Sequence, residues 1–435
     1  MDMVNRLPKY IDLSILFVIN LFFFGYSWYI ALVLSVVFFL GFYAFRSYDM
    51  EIMKSLNDST IRIVAGVIFG SIILLILYPL FLENYINRNA FIYNFLISIV
   101  VFPIIHKIEY KLFEKRAKQR KYLVIGKKDE IGNILDEIQE KTLNKLYFVD
   151  YINPSPVKLD ELINKEITEK KANKNNKTPA YDAILVTDPK LEEKVKDKLE
   201  EYKKMGIKIE YLPILVEKHL KRIPLKVVEK FKEHYSIIFN QEHESPAKRV
   251  VDVIVSLIAL VIFSPFMLII ALGILIEDGR PVVFKQDRIG KDGKIFTMYK
   301  FRSMKNVERE KPLFADQEQD RITKVGKVIR KLRLDELPQF FNVLKGDMSV
   351  VGPRPEQKNF VEEFEKHITG YKYRHITKPG ITGWAQIMYK YTSNIDETSK
   401  KLEYDLWYVK NDNVFINLKV IIQTLEAMVF KRGAM

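Results

Sequence analysis

The sequence predicts an α+β membrane protein in three parts, on three observations. Hydrophobic residues fill 48% of the 435 positions, yet mean hydropathy is near zero. They must therefore be concentrated, and they gather at 11–45, 63–82, 91–105 and 250–276. Between 121 and 212, short apolar runs alternate with helical patterns, as in a parallel sheet. After 276, strand-like alternation and short helices surround an Asp-Glu pair that follows a group of cations. The length suits two or three domains. A net charge of +14 calls for an acidic partner: nucleic acid, anionic lipid or phosphorylated substrates. The lack of cysteine excludes disulfides, cysteine-ligated zinc and a thiol nucleophile. No cleavable signal peptide is expected, because no small-residue cleavage site follows the first apolar run.

Residues 1–110 are expected to form four transmembrane helices. Apolar runs at 11–24 and 28–45 flank Gly25-Tyr-Ser, and a second pair at 64–82 and 90–106 is joined by 83–89. Each run is close to the roughly 20 residues that a span needs. Arg46, Lys54 and Arg62 lie between the pairs, and Lys107, Lys111, Lys115 and Arg116 follow the fourth run. The positive-inside rule then places both ends of the unit in the cytoplasm. Charges are sparse within the runs, so an anchor is expected, with no ion or proton path.

Residues 111–240 read as a Rossmann-like α/β domain. Lys121-Tyr-Leu-Val-Ile-Gly126, Tyr147-Phe-Val, Ala183-Ile-Leu-Val-Thr187 and Lys208-Ile-Glu-Tyr-Leu are strand candidates, with helices at 130–139 and 191–204. The dinucleotide fingerprint is missing: Gly126-Lys-Lys-Asp-Glu-Ile-Gly132 puts Lys127 and Lys128 where backbone must approach a pyrophosphate. No dinucleotide binding is expected. The Lys- and Asn-rich stretch 164–178 reads as a solvated loop, not a nucleic-acid patch.

Residues 250–276 would make a helix roughly 40 Å long at about 1.5 Å per residue. Ser264-Pro265 falls in its middle, where proline frees a carbonyl and bends a helix. Two readings compete, a kinked fifth span or a re-entrant hairpin; the hairpin keeps 277–435 beside the middle domain and is preferred. Phe284-Lys-Gln286-Asp-Arg288-Ile-Gly290 and Phe296-Thr-Met-Tyr-Lys300-Phe-Arg302-Ser-Met304 alternate like strands, with Lys300 and Arg302 at one edge. Gly352-Pro-Arg354-Pro355 is a rigid loop presenting one arginine, and Trp384 is expected to pack. Asp335-Glu336 follow Lys327, Arg330 and Arg333, spaced a helical turn apart to face a diphosphate together. A helix is expected to start at or just after Asp335, with Pro338 in its first turn and Gly346 as its end. Its N-terminus would suit a phosphate. Taken singly, each of these segments also passes for ordinary surface charge or a plain turn.

Together they are far more specific. Lys248-Arg249…Asp252…Ser264-Pro265, Gln286-x-Arg288-x-Gly290, Tyr299-Lys-Phe-Arg-Ser-Met304, Leu334-Asp-Glu-Leu-Pro-Gln-Phe-Phe-Asn-Val-Leu-Lys-Gly-Asp-Met-Ser349, Gly352-Pro-Arg-Pro355, Pro379-Gly-Ile-Thr-Gly-Trp-Ala-Gln386 and Tyr404-Asp-Leu-Trp-Tyr-Val-Lys410 resemble, in that order, the bacterial sugar transferases. These are monotopic polyprenyl-phosphate phosphoglycosyltransferases. The resemblance is strong over 245–435, and the preceding parts resemble the family's long form. It implies that 241–435 is a monotopic catalytic domain whose helix re-enters at Ser264 and Pro265. The implied reaction moves a sugar-1-phosphate from a UDP-sugar to undecaprenyl phosphate and releases UMP. Asp335 would be the nucleophile with Glu336 beside it, and Mg²⁺ the metal on that pair. Lys300, Arg330 and Arg354 would contact phosphates, with Gln286, Arg288 and Arg302 as further substrate-binding candidates. Expected partners are the UDP-sugar, undecaprenyl phosphate and the bilayer, with a homo-oligomer and without nucleic acid. The expected location is the bacterial inner membrane, multi-pass, with the middle and catalytic domains cytoplasmic. Two positions depart from the pattern: Met388-Tyr389-Lys390 stands where many members have Asn-Gly-Arg, and Asn417 where Asp is common.

Basic side chains and Mg²⁺ suit phosphoryl transfer, which is mainly positioning and charge stabilisation. A membrane-anchored nucleotide-sugar dehydratase or epimerase is the rival enzyme. It needs a glycine-rich NAD loop and Tyr-x-x-x-Lys, and none of the 23 tyrosines has Lys four positions later. A non-enzymatic scaffold for polysaccharide assembly would leave the carboxylate–cation group without a purpose.

Overall fold

The computed structural model describes residues 2–23, 28–77, 88–116, 119–152, 159, 161, 181–204, 206–241, 245–305, 321–389 and 395–429. The chain is mixed helix and sheet, and packs as two compact units, Met1–Gln119 and Arg120–Met435.

The first unit contains α1 (Asp2–Phe23), α2 (Trp28–Ala44), a short α3 (Met50–Lys54), α4 (Leu56–Leu77) and α5 (Arg88–Arg116). Leu34, Phe38, Ile63, Val67 and Phe102 make its core, while Phe22, Ile68, Ile72 and Val100 face outward. Apolar faces all round suit a lipid environment. A Cβ on Gly41 would lie 2.2 Å from the Gly66 carbonyl oxygen, so α2 and α4 meet through a glycine pair. Leu56–Leu74 is long and apolar enough to cross a membrane; Trp28–Ala44 is apolar but shorter. The joins at 25–27 and 83–87 lie outside the described residues. Two titratable side chains meet inside this unit. Asp12 and His106 are completely buried, with His106 Nε2 2.7 Å from Asp12 Oδ2.

The second unit opens on a four-stranded parallel sheet in the order β2-β1-β3-β4, formed by β1 (Arg120–Ile125), β2 (Leu146–Ile152), β3 (Ala183–Val186) and β4 (Lys208–Tyr211). The helix expected at 191–204 is two pieces, Pro189–Glu193 and Lys196–Lys204. The loop expected at 164–178 lies outside the described residues. Gly126 has φ 158°, and a Cβ there would lie 2.1 Å from Thr187 Oγ1. It allows β1 to end against β3.

Helices Leu212–Leu220, Leu225–Lys230 and Lys232–Phe239 join this sheet to the C-terminal part through one core. Trp384 Nε1 donates to the Lys221 carbonyl at 2.9 Å and Trp407 Nε1 to that of Glu217 at 3.1 Å. Buried Arg222 pairs with Glu137 on α6 (Lys128–Lys141) and with Glu403. Trp384 is a packing residue, as expected.

The helix Pro246–Asp278 is long and apolar enough to cross a membrane, and it stays helical through Pro265. Proline cannot donate to the Val261 carbonyl; Ser264 Oγ does so at 2.8 Å. The break expected at Ser264-Pro265 is thus no interruption of secondary structure, because the serine replaces the missing donor. The N-terminal limb is pinned by Arg249, which donates to the Val343 and Leu344 carbonyls at 2.5 and 2.8 Å. Asp252 there accepts from Ser349 Oγ and the Val350 amide, each at 2.9 Å. At the other limb, Glu277 accepts from the amides of Lys324 and Val325 at 2.6 and 2.7 Å, and Ile270 and Ile274 pack with Phe301, Ile329 and Leu337. Between the limbs, Val261, Ile262, Phe266, Leu268 and Ile269 are exposed.

Beyond the helix, β5 (Val283–Ile289) and β6 (Ile295–Phe301) form the expected antiparallel hairpin, with Phe284 opposite Lys300 and Gln286 opposite Met298. Strands β7 (Ser349–Val351) and β8 (Gly380–Thr382) pair in parallel. A Cβ on Gly380 would lie 2.0 Å from the Gly352 nitrogen, so the two glycine turns are in direct contact.

Candidate active site

The helix Lys324–Lys331 starts on Thr323, whose Oγ1 accepts from the Gly326 amide at 2.9 Å. It ends at Leu332, because Arg333 takes a left-handed conformation with φ 57°. A single 3₁₀ turn, Leu334–Glu336, carries both acids, and the next α-helix is Gln339–Lys345. That corrects the expected start: Pro338 has no N–H for an intrahelical bond, so the regular helix begins after it. Gly346, φ 95°, ends it as expected. Arg333 does not share a helical face with Lys327 and Arg330, since it lies beyond the helix.

Glu336 is buried beneath three cations. Lys300 Nζ and Arg333 Nη1 each lie 3.4 Å from its Oε1, and both terminal nitrogens of Arg354 lie at 3.2 Å. Burial would raise its pKa, but Arg354, Lys300 and Arg333 outweigh that and hold it at about 2. Asp335 goes the other way. Burial and the neighbouring Glu336 charge raise its pKa, against Lys300, Arg354 and Arg330. Its Oδ1 is buried with no hydrogen-bond partner among the described residues. One carboxylate is clamped and ionised; the other keeps one oxygen without a donor among the described residues and is the more basic. Burial lowers the pKa of Lys300, opposed by Glu336 and Asp335 and assisted by Arg354 and Arg288. All the cation contacts to Glu336 fall on Oε1. Its second oxygen and Asp335 Oδ1 make a donor set that fits Mg²⁺, which takes one or two carboxylates plus phosphate oxygens and water.

The structure therefore gathers Asp335, Glu336, Lys300, Arg330 and Arg354. Arg288 is next to them: a small cleft is lined by Arg288, Lys300, Gln339, Arg354 and Pro355. Gln286 accepts from Arg288 Nη2 at 2.7 Å and so orients it. Arg302 is elsewhere, a correction to its expected place. It donates to the Asp278 and Gly279 carbonyls at 2.6 and 2.7 Å and fastens the end of the helix Pro246–Asp278. It follows the last residue of β6, so strand alternation no longer sets its direction. Ser264 and Pro265 are in mid-helix, away from the acids in fold position.

Sequence reasoning missed the support behind the site. Arg374, buried, binds Asp405 at 2.9 Å and donates to the Arg354 carbonyl at 2.9 Å, steadying the loop that aims Arg354. Glu356 pairs with Lys401 at 3.1 Å and Arg288 at 3.7 Å. Asp405 lies inside a motif already singled out, but nothing in its spacing points to Arg374. Asn417 accepts from Tyr408 Oη at 2.7 Å and donates to Asp412 at 2.9 Å, while Lys248 holds Asp412 at 2.6 Å. An amide can donate and accept there, and a carboxylate could not donate. Of the other departing stretch, Tyr389 stacks on Tyr404 and Lys390 lies outside the described residues.

In the middle domain, the starts of the helices that follow β1 and β3 are bridged. Lys230 Nζ reaches Glu130 at 2.5 Å and Asp188 at 3.2 Å. Open parallel sheets bind ligands at this carboxyl edge, and here cation and acids satisfy one another.

A profile described as bacterial sugar transferase matches residues 243–431. The chain is 48% identical over 188 residues to the UDP-N-acetylgalactosamine-undecaprenyl-phosphate N-acetylgalactosaminephosphotransferase of Aeromonas hydrophila, 43% of this chain and 44% of that one. It is 42% identical over 181 residues to the UDP-glucose:undecaprenyl-phosphate glucose-1-phosphate transferase of Escherichia coli (strain K12), covering 41% and 39%. With an uncharacterized sugar transferase of Bacillus subtilis (strain 168) it shares 42% identity over 187 residues, 43% of this chain but 89% of the relative. The chain thus matches less than half the length of the first two relatives and most of the third. Every residue around the Asp335–Glu336 pair falls within the matched stretch, and the chain belongs to the bacterial sugar transferase family.

Proposed function

We propose that this chain is a membrane-bound phosphoglycosyltransferase that moves a sugar-1-phosphate from a UDP-sugar to undecaprenyl phosphate, releasing UMP. This would be the first membrane step of exopolysaccharide, O-antigen or capsule synthesis. The observation that carries it is the unbonded Oδ1 of Asp335 beside a carboxylate that holds three cations. Asp335 attacks the β-phosphorus, the bond to the UMP oxygen breaks, and UMP leaves with the electron pair. An oxygen of undecaprenyl phosphate then attacks the same phosphorus and restores the carboxylate. Lys300, Arg330, Arg333 and Arg354 stabilise charge on the transferring group. Glu336 keeps three of them converged. One cationic site serves two anionic substrates, so UMP leaves before the lipid phosphate enters. Mg²⁺, held by Asp335 and Glu336, would neutralise phosphate charge when bound.

The relatives are named for N-acetylgalactosamine, glucose and galactose, so the shared residues speak to the phosphate chemistry, not the sugar. Supplying undecaprenyl phosphate with each of these UDP-sugars and measuring UMP identifies the donor. No UMP from any UDP-sugar would leave the scaffold reading standing.

The membrane arrangement belongs to the same proposal: four N-terminal spans, a re-entrant 250–276, and cytoplasmic middle and catalytic domains. Support for re-entry comes from the two limbs of Pro246–Asp278, both pinned to one domain while the apolar middle is bare. Single cysteines at Ala247 and Pro281 are expected to resist an impermeant thiol reagent on intact cells. Labelling at 281 alone would mean a span. For the middle domain, the Lys230 bridge supports a role in assembly or regulation without NAD.

A further inference from the structure

Within the first unit, three potential metal ligands from two helices converge. Asp12 on α1 and His106 and Glu109 on α5 each offer an atom within 4.8 Å of the others. Asp12 and His106 are fully buried. His106 Nε2 meets Asp12 Oδ2 at 2.7 Å, and its Nδ1 lies 3.3 Å from Ser59 Oγ on α4. Asp12 Oδ1 and both Glu109 oxygens are buried without a hydrogen-bond partner among the described residues. Tyr48 closes one side, its ring 5.3 Å from the imidazole and its buried hydroxyl, itself without a hydrogen-bond partner among the described residues, beside Asp12. Two cations are near: Lys9 sits over the Tyr43 and Tyr48 rings, and buried Arg62 follows Ser59 by one helical turn. Both are engaged in contacts of their own, and the three carboxylate oxygens have no hydrogen-bond partner among the described residues.

We propose that Asp12, His106 and Glu109 bind one first-row divalent transition-metal ion that ties α1 to α5. Three buried carboxylate oxygens without a hydrogen bond are costly, and a cation among them removes that cost. One imidazole with two carboxylates favours zinc, cobalt or manganese over magnesium, which prefers oxygen alone and keeps its water. Ser59 supplies the outer contact that ligating histidines usually have: Nδ1–H donates to Oγ and turns the Nε2 lone pair towards the carboxylates. Metal entry replaces the Nε2–Oδ2 hydrogen bond with two metal–ligand bonds and releases the proton shared there. The site shares no residue with the Asp335–Glu336 pair.

The test uses the full chain in lipid nanodiscs, stripped with chelator and kept in excess Mg²⁺ so that oxygen-only sites are filled. Co²⁺ is titrated and followed by its visible absorption, with Zn²⁺ as competitor. One equivalent of Co²⁺ should bind to the wild type and to Asp335→Asn. Asp12→Asn, His106→Gln and Glu109→Gln should each weaken binding at least tenfold. Glu109 is only half-buried, so Glu109→Gln is the mildest change. It should keep the metal-free melting temperature and lose the rise that Zn²⁺ gives the wild type. Absence of wild-type binding, or binding and a Zn²⁺-induced rise that survive all three substitutions, would overturn the proposal.

Discussion

Two places in the second unit set cations against two carboxylates, one cation at the first and three at the second, and they differ in what is left over. At the sheet edge Lys230 satisfies Glu130 and Asp188, and Asp188 also accepts from the Lys190 amide at 2.9 Å. At the 3₁₀ turn, Lys300, Arg333 and Arg354 converge on Glu336, and Asp335 Oδ1 has no hydrogen-bond partner among the described residues. A group whose charges complete one another holds a fold together. A group that bonds its cations to one acid and leaves its neighbour's oxygen without a donor stores potential for chemistry.

The largest test of this contrast is Asp335→Asn. It keeps shape and removes the nucleophile, so turnover should fall by several orders of magnitude while UDP-sugar binding, measured by calorimetry, largely survives. Residual turnover near wild type would end the nucleophile assignment. Next is the support behind Arg354. Asp405→Ala leaves Arg374 buried and unpaired, a loss of about 3–5 kcal/mol in stability that should appear as a lower melting temperature together with reduced activity. Arg354→Ala should weaken UDP-sugar binding by about 1.5–3 kcal/mol, the scale of a charge-assisted contact. An unchanged dissociation constant would place Arg354 outside the substrate site. Lys230→Ala is expected to matter least, by about 0.2–1 kcal/mol in stability with UMP release unchanged. A large loss of activity there would erase the contrast between the two places.

Much of this was legible in the sequence, and what was not has physical reasons. The two central strands carry the apolar runs Tyr122–Ile125 and Ala183–Val186, which local pattern reveals. The hairpin's alternation placed Lys300 correctly. It failed for Arg302 because that residue lies past the strand's end, where the nearby helix carbonyls capture it. Helical spacing put Arg333 on the face of Lys327 and Arg330, but a left-handed residue is a backbone choice that spacing does not show. Asp12 and His106 are 94 positions apart, and each falls at the edge of an apolar run. Their meeting is tertiary, as is that of Arg374 with Asp405. The acidic pair was visible because its cations are local in part; which acid they choose was not.

The central claim is that Asp335 carries the sugar-phosphate between two displacements. Enzyme incubated with a UDP-sugar and no lipid, then digested and analysed by mass spectrometry, should yield a hexose-phosphate adduct on the peptide containing Asp335, together with a burst of UMP. The Asp335→Asn chain should give neither. Wild-type turnover with no adduct, no acceptor-independent UMP and intersecting kinetic lines would mean direct transfer and contradict the account.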